Sequence, residues 1–178
     1  MVALLRHPAV RIAPGICYGR TDVPLADGWR QSIPALAASL ATIAAQHIWS
    51  SPSSRCATLA DALGSRLTLP VTCDEHLTEL DFGAWEGRAW DALPRHDLDL
   101  WAMDPFAFRP PGGERGADLI ARVSGFAAQL RIAAQPCIVV SHGGPLRVLP
   151  ELLCDTPPSL LATPPLVGSL RIVTARRG

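Results

Sequence analysis

Short apolar runs and longer amphipathic stretches alternate along the chain. Five short runs have the length and apolar character expected of strands: 2–5, 48–49, 69–72, 138–140 and 166–173. The run at 138–140 is wholly apolar and β-branched, which favours a buried strand. Pro70 has no backbone N–H to donate, so it favours a position at the sheet edge for the third run.

Four stretches repeat apolar side chains every three or four residues, which is the period of a helix with one buried face. They lie at 29–44, 54–63, 114–130 and 145–153. Gly64 is expected to end the second of these helices. The stretch 88–113 follows neither period and is rich in Trp, Phe and Pro. We interpret it as a short cap or lid that shapes a pocket, with a packed surface loop as an equal alternative.

Basic side chains follow three of the predicted strands. Arg6 and His7 end the first strand, Arg55 lies in the first turn of the helix after the second, and His142 follows the strand at 138–140. In open α/β sheets, ligands bind beyond the carboxyl ends of the strands. Arginine can fork onto two phosphate oxygens, and histidine can attack phosphorus or carry a proton. These four side chains together favour an anion site.

A group of carboxylates lies in the segment 77–87, which also contains aromatic residues and two glycines. A carboxylate held against apolar groups has a raised pKa and suits general acid catalysis. The pattern does not say which of Glu79, Asp81 and Glu86 would have that role.

Composition narrows the function classes. The chain has 178 residues, 48% of them hydrophobic, which is typical of one globular domain with a sizeable core. Its formal net charge is +0, so no electrostatic footprint for nucleic acid is present. All 16 basic residues are arginine, which excludes lysine Schiff bases and the lysine-dependent phosphate loop. No Gly-x-Ser-x-Gly elbow is present, which disfavours a serine hydrolase.

Cysteine usage and the lack of targeting signals favour a cytoplasmic protein. The five cysteines are scattered without a Cys-x-x-Cys pair, so neither a zinc site nor a disulfide framework is expected. No basic region leads into a long apolar segment at the N-terminus, and no run is long enough to span a membrane.

The basic and acidic elements, in this order, resemble the histidine phosphatase superfamily, also called the phosphoglycerate mutase-like family. Residues 5–7 resemble its opening Arg-His signature, and 50–55 resemble its Ser-Ser-Pro element that ends in arginine. Residues 77–87 are similar to its acid segment, and 141–144 to its second-histidine element. The resemblance covers nearly the whole chain and implies a single domain, 1–178, with a three-layer α/β/α sandwich around a mostly parallel sheet.

The resemblance also implies roles for individual residues. His7 would be the nucleophile that is transiently phosphorylated. The phosphoryl oxygens would be held by Arg6, Arg55 and His142, and by backbone amides near Gly19 and Gly143. Glu79, at the position of the family's acid, would protonate the leaving alcohol. Arginines would supply the positive charge that magnesium supplies elsewhere, so neither a metal nor another cofactor is expected.

Within the family, residues 15–25 are most similar to the α-ribazole 5′-phosphate phosphatases of cobalamin synthesis. The short chain favours hydrolysis of a small phosphate ester over the phosphoglycerate mutase reaction. A non-catalytic phosphate-binding module is disfavoured because His7 and Glu79 are both present. The sequence departs from the family at Pro8, where glycine is usual. For Trp85, Trp90 and Trp101, packing is favoured over stacking on a heterocyclic substrate.

Overall fold

The computed structural model describes residues 1–176. Its centre is a five-stranded sheet with the strand order β3-β2-β4-β1-β5. The strands are β1 Val2–Arg6, β2 His47–Ser50, β3 Val71–Cys73, β4 Cys137–Ser141 and β5 Leu170–Val173. All pairs are parallel except that between β1 and β5, which is antiparallel.

Helices cover both faces of this sheet, which confirms the three-layer α/β/α fold. The helices are α1 Ile33–Ala41, α2 Ser54–Leu67, α3 Arg95–Met103, α4 Gly116–Ala133 and α5 Gly143–Leu153. Alternate residues of a strand point to opposite faces. In β1, Leu4 belongs to the core that contains side chains of α4 and α5, and Leu5 belongs to the core that contains side chains of α1 and α2.

Several element boundaries differ from the sequence predictions. Gly64 lies inside α2 rather than at its end. Glycine is needed there for packing, because a Cβ would be 2.6 Å from the Cγ2 of Val71. The helix ends instead at Leu67 and is capped by Thr68, which has a left-handed backbone with φ 57°. β5 is shorter than the predicted strand 166–173, since Gly168 turns the chain just before it with φ 72°.

The segment 88–113 contains α3 and contributes to a third, aromatic cluster. This cluster is centred on the buried side chains of Cys17, Trp85 and Leu93. Phe82, Trp90, Trp101 and Phe108 pack around them. Within residues 1–176, no helix combines the length and the hydropathy that a membrane crossing requires.

Candidate active site

A pocket of about 230 Å³ opens at the carboxyl ends of β1 and β4. One end is lined by Arg6, His7, Glu79 and Gly143, and we call it the basic end. The remaining wall is largely apolar. The position of the pocket follows from the topology, because the carboxyl ends of parallel strands form the ligand-binding edge of an open sheet.

His7 lines the pocket and is 1% exposed. Its Nδ1 lies 2.7 Å from the carbonyl oxygen of Pro8. A carbonyl only accepts hydrogen bonds, so Nδ1 carries the proton and the neutral ring keeps its lone pair on Nε2. Burial, with the charges of Arg55 and Arg6, lowers the pKa of His7 to about 4 despite the opposing hydrogen bond to Pro8. The imidazole is therefore neutral at neutral pH.

Arg55 and His142 form a fully buried pair behind His7. The Nε of Arg55 donates to the Nδ1 of His142 at 3.1 Å. That bond puts the proton of the neutral His142 ring on Nε2, which lies 2.7 Å from the Oγ of Ser51. Burial, followed by the Arg55 charge, lowers the pKa of His142 well below its ordinary value. The rings of His7 and His142 meet edge to face, with centroids 5.2 Å apart.

At the basic end, Arg6 has hydrogen-bond donors that are not fully paired with protein acceptors in the described part of the chain. Its Nη1 donates to the carbonyl of Pro165 at 2.5 Å, while within residues 1–176 its buried Nε has no hydrogen-bond partner. The guanidinium lies against the start of α5, because a Cβ on Gly143 would be only 3.2 Å from its Cζ. A cation with a free donor beside a helix N-terminus favours an anionic ligand.

Of the three candidate carboxylates, the structure brings Glu79 into the pocket. The Gly144 amide donates to its two oxygens at 3.0 and 3.2 Å, which fixes the carboxyl group beside the start of α5. Asp81 accepts a hydrogen bond from the Gly83 amide instead, and Glu86 is engaged by the loop that contains Gly19.

The loop that contains Gly19 differs from the prediction that its backbone amides complete a phosphate cradle. The amides of Arg20 and Thr21 donate to the carboxylate of Glu86. Gly19 contributes its carbonyl oxygen, which accepts from the Nη2 of Arg55 at 2.6 Å. The amides that follow Gly19 therefore hold a carboxylate and are not free for a phosphate.

The apolar side of the pocket includes four aromatic rings, which we call the aromatic wall: Tyr18, Phe82, Trp90 and Trp101. The indoles of Trp90 and Trp101 stack with centroids 5.8 Å apart and an interplanar angle of 16°. Trp85 is different, because it is 1% exposed and belongs to the aromatic core. Trp90 and Trp101 also pack in this cluster, as predicted, and in addition line the pocket.

Sequence reasoning missed Arg147, which also lines the pocket. It lies four residues after Gly143 in α5, and side chains at that spacing share one helix face. This spacing was the signal that could have found it. A second omission is Arg122, which donates to the carbonyls of His76, Thr78 and Glu79 and so supports the acid segment from behind.

Comparison with known proteins agrees with this geometry. The profile of the Histidine phosphatase superfamily (branch 1) matches residues 2–177. This chain therefore belongs to the histidine phosphatase superfamily. It is 35% identical over 162 residues to the bifunctional protein Rv2228c of Mycobacterium tuberculosis, in an alignment that covers 85% of this chain and 43% of that protein. The chain thus spans less than half the length of that relative.

Two solved structures have the same fold over most of their length. The mycobacterial glucosyl-3-phosphoglycerate phosphatase Rv2419c in complex with VO3 has a TM-score of 0.81 and 27% identity, covering 95% of this chain and 90% of that one. The α-ribazole phosphatase of Shigella flexneri has a TM-score of 0.78 and 27% identity, covering 88% of this chain and 80% of that one.

Proposed function

We propose that this protein is a phosphomonoesterase that works through a phosphohistidine on His7 and needs no metal ion. The observation that carries the proposal is the hydrogen bond between His7 Nδ1 and the Pro8 carbonyl. It leaves Nε2 as the nitrogen with the lone pair, on a side chain that lines the pocket. The low pKa of about 4 keeps this nucleophile unprotonated at neutral pH.

In the first step, Nε2 of His7 attacks phosphorus and the bond from phosphorus to the alcohol oxygen breaks. Arg6 holds the phosphoryl oxygens from the pocket wall. Arg55 adds the Nη hydrogens that are not already bound to the Thr21 and Gly19 carbonyls, and His142 exchanges the Oγ of Ser51 for a phosphoryl oxygen as the acceptor of its Nε2–H. These donors meet the charge that spreads over the equatorial oxygens, which is the largest contribution expected in such a transfer. The Gly143 amide at the start of α5 completes the cradle.

Glu79 is the proton donor in this proposal. It gives its proton to the leaving alcohol oxygen and then accepts one from the water that attacks the phosphohistidine. Phosphate leaves, and His7 and Glu79 return to their starting states. The position of Glu79 on the same pocket wall as His7 supports this role.

The leaving alcohol is proposed to carry a flat, largely apolar ring. The aromatic wall supports this substrate class, because stacked indoles offer a planar surface to a heterocycle. Among known substrates, α-ribazole 5′-phosphate of cobalamin synthesis has this shape, and one structural neighbour is an α-ribazole phosphatase. The five free thiols support a reducing, cytoplasmic setting.

The test is phosphate release from α-ribazole 5′-phosphate, 3-phosphoglycerate and p-nitrophenyl phosphate, with wild type and His7→Ala, in the presence of a chelator. We expect activity that depends on His7, persists in the chelator and is highest for the ribazole ester. If 3-phosphoglycerate is isomerised without net release of phosphate, the reaction is that of a mutase and not of a hydrolase. Equal activity of His7→Ala would overturn the mechanism.

A further inference from the structure

Glu86 is a partly buried carboxylate with four hydrogen-bond donors directed at it. Its Oε1 accepts from the amides of Arg20 at 2.9 Å and Phe82 at 3.0 Å. Its Oε2 accepts from the amide of Thr21 at 2.6 Å and from the Thr21 hydroxyl. Burial acts to raise the pKa of Glu86, but these donors together hold it below its ordinary value. Such a set of donors is arranged for a permanent carboxylate.

The backbone that Glu86 binds is the same backbone that binds Arg55. The Nη1 of Arg55 donates to the Thr21 carbonyl at 2.9 Å, and its Nη2 donates to the Gly19 carbonyl. The amide side of residues 19–21 therefore faces Glu86, while the carbonyl side faces the guanidinium. With its Nε on His142, each nitrogen of Arg55 is held by a fixed acceptor.

The same loop lies directly against the acid segment. A Cβ on Gly19 would overlap the carbonyl oxygen of Leu80 and would lie 2.8 Å from the ring of Phe82. Glycine at this position lets residues 19–21 approach the backbone that follows Glu79. The Phe82 amide, bound to Glu86, ties the two segments together at that contact.

We infer that Glu86 is a positioning residue that docks residues 19–21 onto the acid segment and thereby fixes the Arg55 guanidinium relative to Glu79. The expected effect of Glu86 on catalysis rests on the proposed function, whereas its effect on the position of Arg55 does not. Glu86 touches neither the proposed nucleophile nor the pocket, so it acts through Arg55. Arg55, which would bind the phosphoryl group, and Glu79, which would donate the proton, are then held in a fixed relative position before substrate binds.

The principal variant is Glu86→Gln, which retains one carbonyl oxygen and sets an NH2 group against the donors that the other oxygen held. Thr21→Val removes only the hydroxyl donor, and Thr21→Ser restores it. Asp61→Asn is the matched control, since Asp61 is an exposed carboxylate on α2, the helix that carries Arg55. Each variant is assayed with p-nitrophenyl phosphate, and inorganic phosphate is used as a competitive inhibitor.

We expect Glu86→Gln to lower kcat/KM by about ten- to a hundredfold and to weaken inhibition by phosphate, since removing a charge-stabilising donor outright costs about 10²–10³ in kcat. Thr21→Val should show a smaller loss that Thr21→Ser recovers. Asp61→Asn should match wild type. Normal kcat/KM and normal phosphate inhibition in folded Glu86→Gln would overturn the inference.

A second readout does not depend on turnover. Long-range ¹H–¹⁵N correlation spectra of the wild-type imidazoles should report His142 as the fixed Nε2–H tautomer, because Arg55 donates to its Nδ1. In Glu86→Gln and Thr21→Val, the pattern should shift towards a mixture of tautomers. An unchanged His142 pattern would contradict the positioning role even in a protein without phosphatase activity. Absent turnover with the expected shift would instead contradict the proposed function alone.

Discussion

The two ends of the pocket are built by different means. Behind the basic end, Arg55 and His142 are fully buried and each is held by hydrogen bonds to fixed partners. The aromatic wall is held mainly by ring packing, as in the stack between Trp90 and Trp101. Hydrogen bonds are directional and fix the position of the Arg55 charge, whereas ring packing fixes only the shape of an apolar surface. We therefore expect substitutions among the buried charged residues to abolish the chemistry, and substitutions in the aromatic wall to change only which leaving group is preferred.

Removal of Arg55 should have the largest effect of any substitution near the pocket. Arg55→Gln leaves His142 Nδ1 and two carbonyls without a charged donor, and it removes one of the cations that would stabilise the transferring phosphoryl group. We expect kcat to fall by about 10³–10⁵, the range found for arginines in phosphoryl transfer. Steady-state kinetics on a simple ester measure the loss. Arg66→Gln, an exposed arginine in the last turn of the same helix, is the control and should match wild type.

Glu79→Gln should have the next largest effect, and one that depends on the leaving group. General acid catalysis contributes about 10²–10⁴, but a leaving group such as p-nitrophenolate needs little protonation. We expect a large loss on an alkyl phosphate and a small loss on p-nitrophenyl phosphate. An equal loss on both esters would argue against proton donation by Glu79.

Burial of two neutral imidazoles should make folding sensitive to acid. The folded-state pKa of His7 is lowered from 6.5 to about 4, so the unfolded chain binds more protons between these values. The stabilisation is complete above pH 6.5 and is lost as the pH falls towards 4. For His7 alone the free energy of unfolding should fall by about 3 kcal/mol, at 1.36 kcal/mol for each pKa unit.

Denaturant unfolding of wild type and His7→Asn between pH 7 and pH 4 measures this fall in the free energy of unfolding. The slope of unfolding free energy against pH should be shallower in the variant. His142, whose pKa is also lowered, should account for part of the slope that remains. Parallel curves for the two proteins would contradict the buried neutral state of His7.

The aromatic wall should give the smallest and most selective effect. Trp101→Leu keeps an apolar surface but removes the stacked indole, and aromatic pairs contribute about 0.5–1.5 kcal/mol beyond simple burial. We expect KM for a ring-bearing ester to rise about three- to tenfold, with little change for 3-phosphoglycerate. Phe106→Leu, on an exposed ring of the same segment, is the control. A uniform change for both esters would mean that the wall does not select the leaving group.

The sequence predicted the basic end better than the rest of the pocket, for a physical reason. Arg6, His7 and His142 follow strands whose apolar pattern is plain, so the topology of a parallel sheet brings their positions together. The pairing of the Arg20 and Thr21 amides with Glu86 could not be predicted, because it joins residues far apart in sequence. No local period records such a contact.

Boundaries and the wall were harder to predict for related reasons. Glycine is common where helices end, which led to the prediction for Gly64, but packing against Val71 requires a glycine inside α2. The segment 88–113 carries no period that tells which rings face a pocket and which face the core. Trp85 and Trp101 belong to one cluster, and only the folded chain separates the buried ring from the pocket ring.

The most direct test of the account is to trap the covalent intermediate. Wild-type protein is mixed with p-nitrophenyl phosphate, quenched in base within one turnover, and digested for mass spectrometry, since phosphohistidine survives base and not acid. We predict one phosphoryl group on the peptide that contains His7, and none in His7→Ala. A phosphoryl group on another residue, or phosphate release with no labelled peptide at any time, would contradict the account.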